Sequence, residues 1–332
     1  MMKTRAAITA TGVYIPPDKL TNADLEKMVD TTDQWIVERC GVKERRILKD
    51  KDKATAFMGA EAARQALSKR GMPASEIELV IVSTATPEYQ FPATSNIVAD
   101  MIGANRAWGF DLMAACSGFL YALNTARQFI ESGAHKKILV IGSDKMSTVA
   151  DYTNRTTCIL FGDAAGAVLL EADESGNGII DARLYSDGSG RKYLLQEAGG
   201  SLSPASAETV SKRQHFISMD GKNVFKVAVV KMAEVAEEMM KRNALSAEQV
   251  AYLVPHQANK RIVEATAERM GIGMDKVMMN IERYGNTTCA SIPLCLNEWE
   301  AKLRTGDNLV LCSFGAGFTW GGIFLKWAYN GN

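Results

Sequence analysis

The sequence predicts an α/β fold built from two similar halves, and two observations support this. Short apolar runs alternate with amphipathic stretches along the chain, which is typical of sheets covered by helices. One ordered pattern of helix end, loop and strand also occurs twice. Apolar residues make up 47% of the 332 residues, so the chain can bury a full hydrophobic core and disorder is excluded.

Four apolar runs predict buried strands, at residues 79–82, 137–141, 251–254 and 308–311. Because these runs are apolar on both faces, we expect each strand to lie between two layers of helices. Apolar residues at helical spacing predict helices at 119–130 and 224–240, and Gly133 stops the first.

The repeated pattern lies at residues 69–80 and 241–254, about half the chain length apart. Corresponding loops of the two repeats should therefore converge on one pseudo-twofold axis. Residues 173–178 and 186–213 are rich in glycine, serine and charged residues, so we expect loops there, the second long enough to be functional.

Charge and cysteine usage exclude several classes of function. The 38 basic residues balance the 38 acidic ones, so there is no global positive field for nucleic acid, which leaves only a local basic patch. The N-terminus lacks a secretory pattern, and no apolar run reaches the ~18 residues of a membrane span. With three histidines and no C-x-x-C pair we expect no metal site, and the six scattered cysteines indicate reduced thiols in a cytoplasm.

Cys116 is the first candidate for chemistry. It follows a short apolar strand and small residues, and it lies at or just before the N-terminus of the predicted helix at 119–130. Unpaired backbone N–H groups and the helix dipole stabilise a thiolate there, so we expect a pKa well below the usual ~8.5. An inert buried cysteine in a tight turn is an equally good interpretation of the local pattern.

His256 is the second candidate, because it directly follows a buried strand and precedes a helix that Asn259 can cap. Ligands bind at the carboxyl ends of strands in α/β sheets, although a structural histidine is the alternative. His135 and His215 are interpreted as surface residues.

Asn286 lies in the third candidate segment, at residues 284–293, which the internal repeat places opposite Cys116. On its own this segment is an ordinary Gly-Asn turn. The glycine-rich segment at 313–322 lies between two strands, so it is no dinucleotide fingerprint, yet it can present backbone N–H groups to a ligand oxygen. Together these loops combine a nucleophile with two neutral hydrogen-bonding partners.

These segments resemble the three active-site motifs of the 3-oxoacyl-[acyl-carrier-protein] synthase III family. The motifs are Ala-Ala-Cys-Ser-Gly-Phe at 114–119, His-Gln-Ala-Asn-Lys-Arg-Ile at 256–262, and Tyr-Gly-Asn-Thr-Thr-Cys-Ala-Ser-Ile-Pro at 284–293. The resemblance extends over essentially the whole chain, through residues 21–26, 33–39, 161–167 and 314–321.

The resemblance implies a thiolase fold with five αβαβα layers and a homodimer. We place the halves at 1–171, with the cysteine, and 172–332, with the histidine and asparagine. The resemblance also implies that acetyl-CoA condenses with malonyl-carrier protein to give acetoacetyl-carrier protein, CO₂ and CoA. The coenzyme A thioester is then a substrate, and no cofactor is expected.

The resemblance further assigns roles to single residues. Cys116 carries the acyl group, the backbone N–H groups of Cys116 and Ala316 form the oxyanion hole, and His256 and Asn286 donate hydrogen bonds to the malonyl enolate. Many members have glycine where this chain has Ala316, so this donor requires a φ that alanine accepts.

Binding residues are also implied by the resemblance. The coenzyme A site is expected at Trp35, Arg39, Arg155, Gly221, Asn259 and Arg261. Phe91 resembles the residue that the partner subunit inserts into the acyl pocket. Lys226, Arg261 and Arg269 would form a basic patch for the acidic carrier protein, although Glu268 departs from the basic pair common there.

Other classes fit less well. A thiolase needs a second cysteine in the C-terminal glycine loop, elongating condensing enzymes need a second histidine in place of Asn286, and a hydroxymethylglutaryl-CoA synthase needs an upstream glutamate. The signature around a papain-like protease cysteine is absent. A related condensing enzyme with another primer and a non-catalytic carrier-protein scaffold remain as alternatives, since the sequence does not define the primer.

Overall fold

A computed structural model describes residues 4–331 of the chain. The strands are β1 (Arg5–Tyr14), β2 (Lys19–Thr21), β3 (Glu44–Arg46), β4 (Leu79–Ser83), β5 (Trp108–Leu112), β6 (Lys137–Asp144), β7 (Ala164–Asp173), β8 (Gly178–Ser186), β9 (Leu194–Gln196), β10 (Ile217–Met219), β11 (Tyr252–Pro255), β12 (Asn308–Gly315) and β13 (Thr319–Lys326).

The α-helices are α1 (Asn22–Glu26), α2 (Asp33–Cys40), α3 (Thr55–Arg70), α4 (Thr94–Ile102), α5 (Gly118–Glu131), α6 (Ala207–Ser211), α7 (Gly221–Arg242), α8 (Lys260–Met270), α9 (Ile281–Tyr284) and α10 (Ser291–Trp299). None of the helices in the described part of the chain has the length and apolar character needed to cross a membrane.

Two large mixed sheets repeat one pattern. The first has the order β1-β7-β6-β4-β5, and the second has the order β11-β12-β13-β8. In the first sheet β4 pairs in parallel with β5 and with β6, and β6 pairs antiparallel with β7. In the second sheet β11 pairs in parallel with β12, and β12 pairs antiparallel with β13. The repeated helix-to-strand pattern of the sequence corresponds to α3 followed by β4 and to α7 followed by β11.

The helices and sheets form five layers. Helices α3 and α4 cover the outer face of the first sheet, and α7, with α8 packed on it, covers the outer face of the second. Helices α5 and α10 lie between the sheets and contact both. Strand β4 is apolar on both faces because it lies between two helix layers. Leu79 and Ile81 point into the central core, and Val80 and Val82 point into the outer core.

The structure confirms the predicted strands and helices and corrects their limits. Strand β6 continues past Gly142, where a Cβ would lie 2.2 Å from the Cys289 carbonyl oxygen, so this glycine permits a close approach and does not end the strand. The loop predicted at 186–213 is wrong in part, because β9 within it pairs with β10 and Ser206 caps α6. The boundary between 171 and 172 stays a prediction, and β7 runs two residues past it.

Candidate active site

One cavity of about 510 Å³ brings together most of the predicted site residues. Its walls come from both repeats and include Trp35, Arg39, Cys116, Arg155, Gly221, His256, Asn259, Arg261 and Asn286. The nucleophile candidate and its two hydrogen-bonding candidates therefore share one space with the predicted coenzyme A residues.

Cys116 lies in a short 3₁₀ turn, Ala115–Ser117, directly before α5. The turn is held against the β12–β13 hairpin of the other repeat, because Ser313 Oγ donates to the Cys116 carbonyl oxygen at 2.8 Å. Ser117 Oγ donates to the Thr319 carbonyl oxygen at 3.0 Å. These two bonds fix the cysteine at the junction of the repeats.

The pKa of Cys116 corrects the expectation from the sequence. Burial raises the pKa of this thiol to about 12, and the nearby carboxylate of Asp144 adds to the rise. Asp144 is fully buried and accepts hydrogen bonds from the backbone N–H groups of Ala85 and Cys289, at 2.7 and 3.1 Å. The helix N-terminus therefore does not outweigh desolvation, and Cys116 rests as a thiol.

Cys289 is the counterpart of Cys116 in the other repeat. The 3₁₀ turn Thr288–Ala290 precedes α10 as the turn at Cys116 precedes α5, and the residue before each cysteine has φ near +46° or +47°. The Cys289 thiol donates to the Ala115 carbonyl oxygen at 3.1 Å. The segment 284–293 therefore holds the position that the internal repeat predicted, and within it Cys289 is the residue equivalent to Cys116.

Asn286 is fixed by backbone bonds to the first repeat. Its N–H donates to the Leu160 carbonyl at 2.8 Å, and its carbonyl accepts from Gly162 N–H at 3.0 Å. Gly285 precedes it with φ of 65°, where a Cβ would lie 2.6 Å from the Leu160 oxygen. Since Asn286 Oδ1 accepts from Thr288 N–H at 2.9 Å, the donor end of the amide, Nδ2, is left for a ligand.

His256 directly follows β11 and is fully buried at the base of the cavity. The backbone N–H of His256 donates to the Cys312 carbonyl oxygen at 2.8 Å, and this bond continues the pairing of β11 with β12. Burial lowers the pKa of the imidazole to about 3, so the ring is neutral. Its Nδ1 lies 2.7 Å from Ser291 Oγ.

Sequence reasoning missed two residues that support the site. Gln257 is fully buried, and its amide NH₂ donates to the carbonyls of Pro255 and Met278. Its Oε1 accepts from the backbone N–H groups of Asn280 and Ile281, so one side chain braces the loop that carries His256. Ser291, the first residue of α10, contacts the imidazole itself, and no local pattern in the sequence indicates that contact.

The end of β12, where the β12–β13 turn begins, lies directly against Cys116. A Cβ at Gly315 would lie only 2.7 Å from Cys116 N, so only glycine permits this contact. The next residue, Ala316, does not have a positive φ. Its backbone conformation therefore suits alanine, which meets the condition set for an N–H donor there.

The outer part of the cavity carries cationic and aromatic side chains. The Arg155 guanidinium lies 5.3 Å from the centre of the Trp35 ring, and that of Arg261 lies 4.8 Å from the centre of the Phe225 ring. Asn259 Nδ2 donates to the Arg39 carbonyl at 2.9 Å, which joins α8 to the end of α2. Gly221 begins α7 at the cavity wall.

Other predicted residues lie outside the cavity walls. Phe91 is 86% exposed, so within one chain it fills no acyl pocket. Lys226 is exposed, whereas Arg269 is paired with Glu237 at 2.8 Å. His135 and His215 are half-buried and away from the site, and His135 Nε2 accepts from the Trp108 indole N–H at 2.8 Å. Within residues 4–331 no group of three His, Cys, Asp or Glu side chains is placed to hold a metal ion.

Two family models match this chain. The model described as 3-oxoacyl-[acyl-carrier-protein (ACP)] synthase III matches residues 110–188, and the C-terminal model of the same description matches 240–327. The β-ketoacyl-[acyl-carrier-protein] synthase III of Chlorobium chlorochromatii is 62% identical over 328 residues, which are 97% of this chain and 99% of that protein.

Solved structures agree with these sequence matches. The 3-oxoacyl-[acyl-carrier-protein] synthase III of Aquifex aeolicus is 42% identical with a TM-score of 0.89, covering 97% of this chain and 100% of that one. The priming β-ketosynthase of the R1128 polyketide pathway is 32% identical with a TM-score of 0.91, covering 100% and 99%. The comparisons confirm the predicted five-layered thiolase fold and the predicted acyltransferase class. By its sequence, its fold and the loops that meet at Cys116, the chain belongs to the 3-oxoacyl-[acyl-carrier-protein] synthase III family.

Proposed function

We propose that this chain starts fatty acid synthesis by condensing a short acyl-CoA, acetyl-CoA in the first place, with malonyl-carrier protein. The products are acetoacetyl-carrier protein, CO₂ and CoA. The observation that carries the proposal is the shared cavity in which a cysteine, a neutral histidine and an asparagine amide face the same space. Because these groups and two backbone N–H groups supply all the chemistry, we propose no cofactor besides the coenzyme A thioester substrate.

The outer cavity would hold coenzyme A. Its adenine is proposed to stack on the faces of Trp35 and Arg155, which lie side by side with the guanidinium 5.3 Å from the centre of the indole ring. Arg39, Gly221, Asn259 and Arg261 would line the path of the pantetheine arm inward to Cys116.

In the first half-reaction the Cys116 sulfur attacks the acetyl thioester. Because burial holds the thiol pKa at about 12, the proton leaves as the C–S bond forms, and the departing CoA thiolate takes it up. The positive end of the α5 dipole favours the negative charge that develops on sulfur. Backbone N–H groups of Cys116 and Ala316 would stabilise the oxyanion, and each such donor lowers the barrier by about 3 kcal/mol.

In the second half-reaction malonyl-carrier protein replaces CoA, a ping-pong order. His256 Nε2–H and Asn286 Nδ2–H would donate to the thioester oxygen while the C–CO₂⁻ bond breaks, so that the electron pair forms an enolate. The enolate carbon attacks acetyl-Cys116, and the cysteine leaves as a thiolate that takes up a proton from water. Since burial lowers the His256 pKa to about 3, the donor is the neutral imidazole and not an imidazolium.

The carrier protein is proposed to dock on basic side chains outside the cavity. Lys226 and Arg261 are exposed, and Arg261 also lines the mouth. Arg269 belongs to the proposed patch, but its ion pair with Glu237 and the neighbouring acid Glu268 reduce the positive charge it offers.

A homodimer and a cytoplasmic location are also proposed. Trp108 and Met113, at the two ends of the edge strand β5, are 48% and 73% exposed, and Phe91 is 86% exposed. Exposed apolar side chains of this size support an interface, through which Phe91 would reach the acyl pocket of the partner subunit. All six cysteines are free and buried, which supports a reducing compartment.

A different primer is the second candidate within the same reaction class. The R1128 enzyme, named for priming polyketide synthesis, matches this chain over its full length, so the family fold accommodates more than one priming role. Initial rates with acetyl-, propionyl-, branched and longer acyl-CoA would rank the primers.

Intact-mass analysis tests the proposal. Acetyl-CoA alone should acetylate the wild type on the peptide that contains Cys116, and later malonyl-carrier protein should discharge it as acetoacetyl-carrier protein. Cys116→Ala should remain unmodified, while Cys295→Ala, which alters another buried cysteine, should react normally. An unmodified wild type would support the scaffold alternative and refute the enzymatic proposal.

A further inference from the structure

Ser291 connects the imidazole of His256 to the second repeat. The serine is 1% exposed, and its Oγ lies 2.7 Å from His256 Nδ1 and 2.9 Å from the Thr288 carbonyl oxygen. We infer that the Ser291 hydroxyl donates to Nδ1 and thereby holds His256 as the Nε2–H tautomer that faces the cavity. Ser291 is thus a positioning residue, and the inference rests on the proposed roles of His256 and Asn286.

The hydroxyl has one proton and two neighbouring acceptors. The Thr288 carbonyl already accepts from the backbone N–H of Ser291, so it does not depend on the hydroxyl. Nδ1 of a neutral ring is the stronger acceptor and lies closer. In the part of the chain that the structure describes, Ser291 is the only hydrogen-bond partner of Nδ1. The proton therefore belongs between Oγ and Nδ1.

Because the ring is neutral, its donor depends on which ring nitrogen carries the hydrogen. His256 is buried, and among residues 4–331 no acidic side chain offsets that burial, so the ring carries a single N–H. If that hydrogen were on Nδ1, Nε2 would present a lone pair to the malonyl thioester oxygen and repel it. With Ser291 donating to Nδ1, Nε2–H joins Asn286 Nδ2–H as the second donor.

Ser291 and Asn286 lie on one short segment, at the turn that leads into α10. The segment presents Asn286 Nδ2 to the cavity directly, and it prepares the donor on His256 through Ser291. Acylation of Cys116 does not use either donor. Loss of the Ser291 hydroxyl should therefore impair decarboxylation and condensation and spare the transfer from acyl-CoA.

Two substitutions test this role through the two half-reactions. In Ser291→Ala we expect acetyl-Cys116 to form from acetyl-CoA within about twofold of the wild-type rate, which also shows that the variant folds. The kcat for condensation with malonyl-carrier protein should fall about 10- to 100-fold, the loss expected for one hydrogen bond in a transition state. Its KM should change little, and Ser291→Thr, which keeps the hydroxyl, should recover most of the rate. Wild-type condensation by Ser291→Ala would overturn the inference.

Nuclear magnetic resonance of the resting enzyme reads the tautomer directly. The chain has three histidines, so ¹⁵N-histidine labelling gives few ring signals, and His256→Asn assigns the relevant pair. We expect Nε2 protonated and Nδ1 unprotonated in the wild type and in Ser291→Thr, with the pattern lost in Ser291→Ala. A protonated Nδ1 in the wild type would refute the inference while leaving the proposed function intact, whereas failure of acetyl-CoA to label Cys116 would refute the function itself.

Discussion

A buried neutral histidine makes the stability of the enzyme depend on pH. In the folded chain the pKa of His256 is about 3, whereas an unfolded histidine has a pKa of about 6.5. Below pH 6.5 the unfolded state therefore binds a proton that the folded state does not. Stability from this group is fully present above pH 6.5 and is lost as pH falls toward 3.

The size of the effect follows from the two pKa values. A pH of 5.0 lies about 1.5 units below the pKa of the unfolded side chain, and each unit corresponds to about 1.36 kcal/mol. His256 should therefore lower the free energy of unfolding by about 2 kcal/mol relative to pH 7.5. His256→Asn removes the titrating group. The variant should therefore lose about 2 kcal/mol less stability than the wild type between these two pH values.

Urea denaturation at pH 7.5 and 5.0, at one protein concentration, measures this difference of differences. Other titrating groups contribute equally to both proteins, and the lost contact with Ser291 contributes equally at both pH values. Both contributions therefore cancel in the comparison. Equal acid sensitivity of wild type and His256→Asn would refute the claim that the ring is held neutral by burial.

Three further tests address separate parts of the site. Gly315→Ala places a Cβ 2.7 Å from the backbone nitrogen of Cys116, so formation of the acetyl-enzyme should slow more than about tenfold. In the control Gly188→Ala the added Cβ meets no atom within 4 Å, so the rate of acetyl-enzyme formation should not change. Lys226→Ala should raise KM for malonyl-carrier protein more than Arg269→Ala does, because Arg269 is already paired with Glu237. This difference in KM between the two variants should shrink at high salt. Asp144→Ala leaves several buried donors unpaired and should lower the free energy of unfolding by about 3 kcal/mol, measured by urea denaturation.

Much of the fold could be predicted because its local patterns agree with its tertiary structure. The strand at Leu79–Ser83 is apolar on both faces since it has a helix layer on each side, and that environment is visible in the sequence. Strand β9 could not be predicted, because its three residues are held by pairing with β10 across 20 intervening residues and not by an apolar pattern of their own.

The site was predictable in its residues and less so in its electrostatics. Three motifs located Cys116, His256 and Asn286, which the structure brings into one cavity. The ionisation of Cys116 could not be read from its position before a helix, because the pKa depends on burial and on Asp144, a residue 28 positions away in the sequence. Ser291 was missed since its contact with His256 exists only in three dimensions.

The most direct test of the central claim separates the two half-reactions on one enzyme. Wild type and Asn286→Ala are first acetylated with acetyl-CoA, freed of excess substrate and then mixed with malonyl-carrier protein, and acetyl-Cys116 is followed by mass spectrometry in a quenched time course. Both proteins should load, and only the wild type should discharge rapidly with release of CO₂. Rapid discharge by Asn286→Ala, or failure of that variant to load, would contradict the division of labour between the nucleophile and the amide that faces it.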